Sequence, residues 1–236
     1  MRSALRRSAS RASTSISADC VVIVFARAPL AGRVKTRLAA RVGAARAARL
    51  HERLVRQALA TARAARCGPV ELHVSERHAF FRGLRTPLRL QRGDDLGERM
   101  YRALRRHRRA MVIGSDCPAL RASDIARAAR WLRGGADVVL APAQDGGYAL
   151  IGARRITPAL FARIAWGSER VLAQTIDNAA RAGLRLRLLR TLWDIDRPED
   201  LERLRSHKLS LTRRASADRL RVRVTLRAPR GGGQQR

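Results

Sequence analysis

Lysine is almost missing from this chain. Arginine supplies 48 of its 50 basic residues, and only Lys35 and Lys208 are lysines. Aromatic residues are scarce too, at 4% of 236 residues, so alanine, leucine and valine must do most of the core packing. Cysteine is limited to Cys20, Cys67 and Cys117. These three are far apart and odd in number, with no C-x-x-C pair and no Cys/His cluster of zinc spacing. A disulfide framework and a structural zinc site are therefore excluded, and a reduced cytoplasm is the simplest setting. No apolar run approaches the ~20 residues of a membrane span. The N-terminal segment is rich in arginine and serine but lacks an apolar stretch, so it does not read as a secretory signal. No internal repeat is visible.

Acidic residues are also few, 19 against 50 basic ones, for a net charge of +31. Such a balance would ordinarily indicate nucleic acid or an anionic surface. Here the arginines are spread along every predicted helix, are not interleaved with aromatics and form no known binding motif. No specific nucleic-acid partner is expected. Residues 1–18 carry four arginines and no acid, and 206–236 carry nine basic residues against Asp218 alone. Both read as basic, disordered extensions. The segment 19–205 reads as one domain, still about +19. That field favours phosphate-rich ligands without identifying one.

Within 19–205 strand and helix alternate. Cys20–Ala26 is a continuous β-branched run, the pattern of a central parallel strand buried on both faces. A helix is predicted from Gly43 to about Arg66, with Leu50, Leu54, Ala58 and Thr61 or Ala62 inward. Val70–Val74 and Leu88–Gln91 read as strands, and 98–109 as a helix. Met111–Gly114 is a short strand that must end before Pro118. A helix follows over 124–133 with Ser123 as N-cap. Strands are expected at 137–141, 148–152 and 184–189, and a helix over 169–182 capped by Ser168. A last helix is expected to begin near Pro198. The alternation argues for an α/β fold with a doubly wound, mostly parallel sheet.

In such sheets ligands bind beyond the carboxyl ends of the strands. Asp116 stands there, directly after its strand, although alone it reads equally as a turn former or helix cap. Asp95, Asp145, Asp194 and Asp196 also lie in turns or between strands. Asp194 and Asp196 straddle Ile195, so in an extended segment they face the same side. Oxygen ligands from one or two carboxylates plus substrate phosphates suit Mg²⁺ or Mn²⁺. Arg33, Lys35 and Arg37 occupy alternate positions of the loop after the first strand, a candidate phosphate cradle. A lysine kept in an arginine-dominated chain draws attention, because ammonium and guanidinium meet phosphate differently. The loop has no P-loop spacing and no G-x-G-x-x-G. No G-x-S-x-G elbow surrounds Ser115, and no histidine is implied beside Cys117 to make it a nucleophile.

Several stretches, taken in order, resemble one family. They are Phe25-Ala-Arg-Ala-Pro29, Gly32-Arg-Val-Lys-Thr-Arg-Leu38, Gly93-x-Asp95-Leu-Gly-Glu-Arg-Met100 and Ile113-Gly-Ser-Asp-Cys-Pro118. Pro142-x-x-Asp-Gly-Gly-Tyr148, Trp166-x-Ser168, Val171-Leu-Ala-Gln-Thr175, Trp193-Asp-Ile-Asp196 and Pro198-Glu-Asp-Leu201 continue the series. The family is the radical-SAM/selenodomain-associated transferases, whose members are often labelled glycosyltransferases of arsenosugar biosynthesis. The resemblance covers about residues 20–205. It implies a single-domain GT-A fold, the Rossmann-like architecture of nucleotide-diphospho-sugar transferases. It implies a cytoplasmic, metal-dependent transferase using a nucleotide-activated sugar and a small-molecule acceptor. The alternative it leaves open is a guanylyltransferase-like nucleotidyltransferase joining an NTP to a phosphorylated acceptor with release of pyrophosphate. By position, Arg33, Lys35 and Arg37 map to nucleotide and phosphate binding, and Asp116 and Asp196 to Mg²⁺ or Mn²⁺. Beside that mapping, Asp95 is a further candidate for nucleotide binding, and Asp116 and Asp145 are the candidate catalytic acids, Asp145 on the acceptor side. The chain departs from the pattern in having no D-x-D at Asp116, and in carrying Arg197 where members often have threonine. Asp94 stands where glycine is usual, and Arg27 where lysine is frequent.

Overall fold

Val21–Ala26 forms β1, inside a seven-stranded sheet in which both of its neighbours run parallel to it. A computed structural model describes residues 19–196 and 198–204 of the chain. The basic ends, 1–18 and 206–236, lie outside the described residues, as does Arg197. From β1 the chain enters α1 (Thr36–Val42), breaks at Gly43 and continues as α2 (Ala44–Ala64). Gly43 has φ +85°, a conformation that a side chain resists and that turns one helix into the next.

Then come β2 (Val70–Val74), the short α3 (Ala79–Arg82), β3 (Leu88–Leu90), α4 (Leu96–Leu104) and β4 (Ala110–Gly114). The second half holds α5 (Ala122–Arg133), β5 (Val138–Pro142), β6 (Tyr148–Ala153), a 3-10 turn at Pro158–Phe161, α6 (Val171–Arg181) and β7 (Leu186–Leu188). The strand order is β3-β2-β1-β4-β6-β5-β7. Among the described strands only β6 is antiparallel, pairing with β4 and β5. Strands 1 and 4 are almost wholly buried, which is why they read as unbroken apolar runs. On one face α2 and α5 cover Val22, Val24, Met111 and Ile113; on the other, α4, α6 and the 3-10 turn cover Ile23, Val112, Leu140 and Ile151. This is the expected doubly wound α/β layering.

Several local expectations change. α1 was not anticipated. The inner stripe of α2 is Ala47, His51, Leu54, Val55, Leu59 and Ala62, so Leu50 and Ala58 sit at its margin. α5 begins at Ala122 rather than after Ser123: the Asp124 carboxylate reaches back to accept from the Arg121 N–H (3.0 Å), closing the first turn from inside. Ser168 precedes α6 by a turn; its hydroxyl donates to the Ala165 carbonyl and accepts from the Arg170 N–H. α4 starts earlier than expected, with Asp95 as its N-cap accepting from the Glu98 N–H at 2.7 Å.

Candidate active site

The carboxyl edge of the sheet is where the chemistry gathers. β4 ends at Gly114, and Asp116 follows two residues later. β5 and the antiparallel β6 are joined at the same edge by the turn through Asp145, Gly146 and Gly147. The segment 192–196 then crosses this edge. The Leu192 N–H donates to the Pro142 carbonyl, the Gln144 N–H to the Leu192 carbonyl, and the Ile195 N–H to the Asp116 carbonyl (3.0 Å). Ile195 is wholly buried against Leu38, Leu54 and Leu204. Burying Ile195 forces Asp194 and Asp196 outward on one side. The result is a cleft of about 1,160 Å³ whose lining includes Asp116, Asp145, Asp194, Asp196 and Arg37. Tyr148, Trp166 and Trp193 supply its aromatic walls.

Asp116 is held by cations and dipoles rather than crowded by acids. The Lys35 ammonium lies 2.8 Å from its Oδ2, and His51 Nδ1 lies 3.5 Å from its Oδ1. The Ser115 hydroxyl donates to Oδ1 at 3.2 Å. Burial alone would raise the carboxyl pKa; the His51 contact and the Lys35 charge outweigh it and hold Asp116 far below the usual carboxylate range. The Lys35 side chain is 4% exposed, whereas that of Asp116 is 45% exposed and opens to the cleft. Lys35 also donates to the Ile195 carbonyl, so one ammonium ties the first loop to β4 and to the last segment. Its backbone is left-handed, φ 50° and ψ 44°, immediately before α1. For a non-glycine residue that costs about 1–2 kcal/mol, and the buried ion pair holds it in place.

The remaining sequence candidates are placed as follows. Arg37 pairs with Asp196 Oδ2 at 2.7 Å, both side chains largely in water. Arg33 is exposed and makes a loose 3.4 Å contact with Glu76. Asp95 caps α4 and does not line the cleft. Asp145 is exposed on its turn, with Oδ1 accepting from the Gly147 N–H. Thus Asp116, Asp145, Asp196 and Arg37 meet in one cavity, Lys35 lies beneath it, and Arg33 and Asp95 stand outside. Among the described residues no backbone N–H of the closing turn donates to the Asp196 side chain. Instead the Asp200 carboxylate accepts from the Asp196 N–H, a return contact that substitutes for the absent threonine. Cys117 is poorly placed as a nucleophile: its thiol donates to the Trp193 carbonyl (3.1 Å) and burial pushes its pKa up to about 12.

Two residues of the site escaped the sequence reading. His51 is 3% exposed; its Nε2 lies 3.0 Å from the Arg27 carbonyl, while its other nitrogen faces Asp116. The available signal was a polar residue in the buried stripe of α2. Asp194 was grouped with the other acids but given no role. Burial and the neighbouring Asp145 charge raise its carboxyl pKa. Among the described residues neither Asp145 nor Asp194 forms an ion pair, in a domain dominated by arginine, although the Lys35 charge reaches Asp194. That is an accumulation of negative charge suited to a divalent cation. The donor set, all carboxylate oxygen, fits Mg²⁺ or Mn²⁺. Among the described residues no three His, Cys, Asp or Glu side chains already form a metal cage. Substrate oxygens would have to complete the coordination, as is usual for Mg²⁺. No helix among the described residues is long and apolar enough to cross a membrane.

The family described as "Uncharacterized protein conserved in bacteria (DUF2064)" matches residues 57–168. No curated protein matches the chain. A crystal structure of a protein from Desulfovibrio desulfuricans G20, assigned as a nucleotide-diphospho-sugar transferase, is 31% identical. The match covers 76% of this chain and 83% of that one, with a TM-score of 0.70. A nucleotidyl transferase from Methanothermobacter shares the fold at 16% identity, covering 81% of this chain and 98% of that one with a TM-score of 0.54. A mycobacterial protein from strain JC1, a homologue of Rv0371c, does so at 17% identity over 82% and 98%, with a TM-score of 0.50. By its identity and coverage with the Desulfovibrio protein, the chain belongs to that protein's family, within the GT-A group of nucleotide-diphospho-sugar transferases.

Proposed function

We propose that this protein is a metal-dependent GT-A transferase that takes a nucleotide-activated sugar as donor and a small molecule as acceptor. One observation carries the reading: in a chain so poor in acids, Asp116, Asp145, Asp194 and Asp196 line a single cleft. Asp116 and Asp194 offer carboxylate oxygens to Mg²⁺ or Mn²⁺, with Asp196 alongside. A divalent ion held there would neutralise charge on the donor diphosphate. Arg37 exchanges its exposed contact with Asp196 for a phosphate oxygen, and Arg33 is free to turn in the same way. Lys35 keeps Asp116 ionised and oriented. Two of its three ammonium donors are used on Asp116 and the Ile195 carbonyl, so from beneath the cleft it acts on the phosphates through Asp116. Asp95 acts from a distance by fixing the start of α4, whose Leu96 and Met100 line the cleft. Asp145, beside Asp194, has one oxygen held by the Gly147 N–H and its other oxygen available to accept a proton from an acceptor hydroxyl. Tyr148 and Trp166 bound the acceptor side and restrict water.

The test is a thermal-shift screen of nucleotide sugars and NTPs with and without Mg²⁺ or Mn²⁺, followed by identification of the released product. A metal-dependent shift with a nucleotide sugar and release of nucleoside diphosphate supports sugar transfer. Release of pyrophosphate from an NTP would replace it with nucleotidyl transfer. The absence of any metal-dependent shift would overturn both.

A further inference from the structure

A second cavity, of about 780 Å³, lies between the edge strand β3 and α4, and it shares no lining residue with the cleft. Helix α4 separates the two: Leu96 and Met100 face the cleft, whereas Arg99, Arg102 and Ala103 face this groove. Seven of its twelve lining residues are arginine, against 48 in the 236 residues of the whole chain, so general arginine richness does not account for it. Arg77 and Arg92 come from the loops after β2 and β3, and Arg89 from β3 itself. The opposite wall adds Arg105 and Arg106 from the turn after α4.

Four of the seven are already engaged. Arg89 meets Glu71 at 3.1 Å, Arg102 pairs with Glu98 at 2.5 Å, Arg99 donates to the Gly93 carbonyl, and Arg105 lies over the Tyr101 ring. Arg77, Arg92 and Arg106 are exposed and have no ion pair among the described residues. Cations that merely solvate a surface point apart. Here they converge from two walls of a concavity, where like charges repel and the field is focused. A bound anion relieves both effects. No acidic residue lines the groove, and the nearby Glu71 carboxylate is 8% exposed and faces His73 (2.9 Å), Arg89 (3.1 Å) and His107 (3.6 Å).

The lining also limits what the anion can be. Guanidinium forks suit phosphate oxygens. No phenylalanine, tyrosine or tryptophan lines the groove, and its one imidazole, His73, is 3% exposed and stacked on Phe25 (centroids 5.9 Å apart), so a nucleobase would find no open ring face. We infer that the β3–α4 groove is a binding site for a condensed phosphate chain, a ligand of consecutive phosphates without a ring.

The probe is sodium tripolyphosphate, titrated calorimetrically into the full chain in EDTA, so that metal-dependent binding in the cleft does not contribute. Orthophosphate and a short oligothymidylate serve as comparison ligands. Saturable 1:1 binding of tripolyphosphate is expected, weakened at least tenfold in Arg92→Glu/Arg106→Glu. Both positions are exposed, and equal thermal unfolding of the variant and the parent checks the fold; Arg77→Gln/Arg92→Gln is the milder second variant. Arg41→Glu/Arg53→Glu makes the same change in net charge elsewhere and should alter affinity less than twofold. Absence of tripolyphosphate binding, unchanged affinity in the groove variants, or an equal loss in the charge control would each overturn the inference. So would tighter binding of the oligothymidylate than of tripolyphosphate at the same number of phosphates.

Discussion

Asp116→Asn tests the site from its centre, and the structure determines the sign of its effect on stability. Were Asp116 surrounded by Asp145 and Asp196, removing its charge would relieve repulsion and leave the metal-free fold unharmed. Its immediate neighbours are instead Lys35 and His51. Neutralising it leaves an ammonium that is 4% exposed with the Ile195 carbonyl and an amide oxygen. Breaking a fully buried pair from one side costs about 3–5 kcal/mol. Asp116 is 45% exposed, so water screens much of the attraction, and about 1–2 kcal/mol is expected. Lys35→Met removes the other partner, and the double variant should recover part of the loss, with a coupling energy of roughly 1 kcal/mol. Urea unfolding of the four proteins in EDTA measures it. The pH dependence has a defined sign. Asp116 titrates below its unfolded value, so its contribution is complete at neutral pH. It fades as the pH falls below about 4, the unfolded range. Equal or higher stability of Asp116→Asn at pH 7, or zero coupling, would refute the account of Lys35 as its structural counter-ion.

Asp194→Asn should act in the opposite direction. Burial and Asp145 raise the Asp194 pKa, so its ionised form weakens the fold as the pH rises through the folded value. The variant is therefore more stable than the parent at pH 7 in EDTA, and the difference closes below about pH 4; a destabilised variant in urea titrations would contradict this. Gly146→Ala should cost about 2–4 kcal/mol, because φ is +85° and a Cβ would lie 2.1 Å from the Glu169 carbonyl oxygen; an unchanged urea midpoint would show that the turn relaxes freely. His51→Leu should cost about 1–3 kcal/mol by leaving the Arg27 carbonyl unpaired, and a loss under 0.5 kcal/mol, the size of an ordinary surface change, would mean that water replaces the imidazole. Removing residues 1–18 and 210–236 should leave a cooperatively folding domain, and a broad, non-cooperative thermal transition would show that the ends contribute to the core.

The strands were legible because burial on both faces leaves a short apolar run too brief for a helix and bounded by turn residues, as in Val21–Ala26 and Ala110–Gly114. The pairing of Asp194 with Asp196 was legible from strand periodicity, since Ile195 between them had to go inward. What periodicity could not reach was the origin of the charges around Asp116. Lys35 is 81 positions away along the chain, and its ammonium arrives only because α1 begins directly after a residue in a left-handed conformation. Sequence spacing placed Lys35 with Arg33 and Arg37 in a phosphate cradle, yet Val34 is buried and the Lys35 side chain lies under the cleft, 4% exposed. His51 was missed for a related reason. The expected stripe of α2 followed the leucines, whereas the helix rolls to present Ala47, His51, Val55 and Leu59, letting a short alanine face approach β1. In a chain where arginine fills the exposed positions, a lysine and a histidine withdrawn from water are the informative exceptions. Burying either costs solvation free energy that solvated arginine does not incur, and both converge on the same carboxylate. That convergence singles out Asp116 more firmly than its position after β4, because a helix cap requires neither.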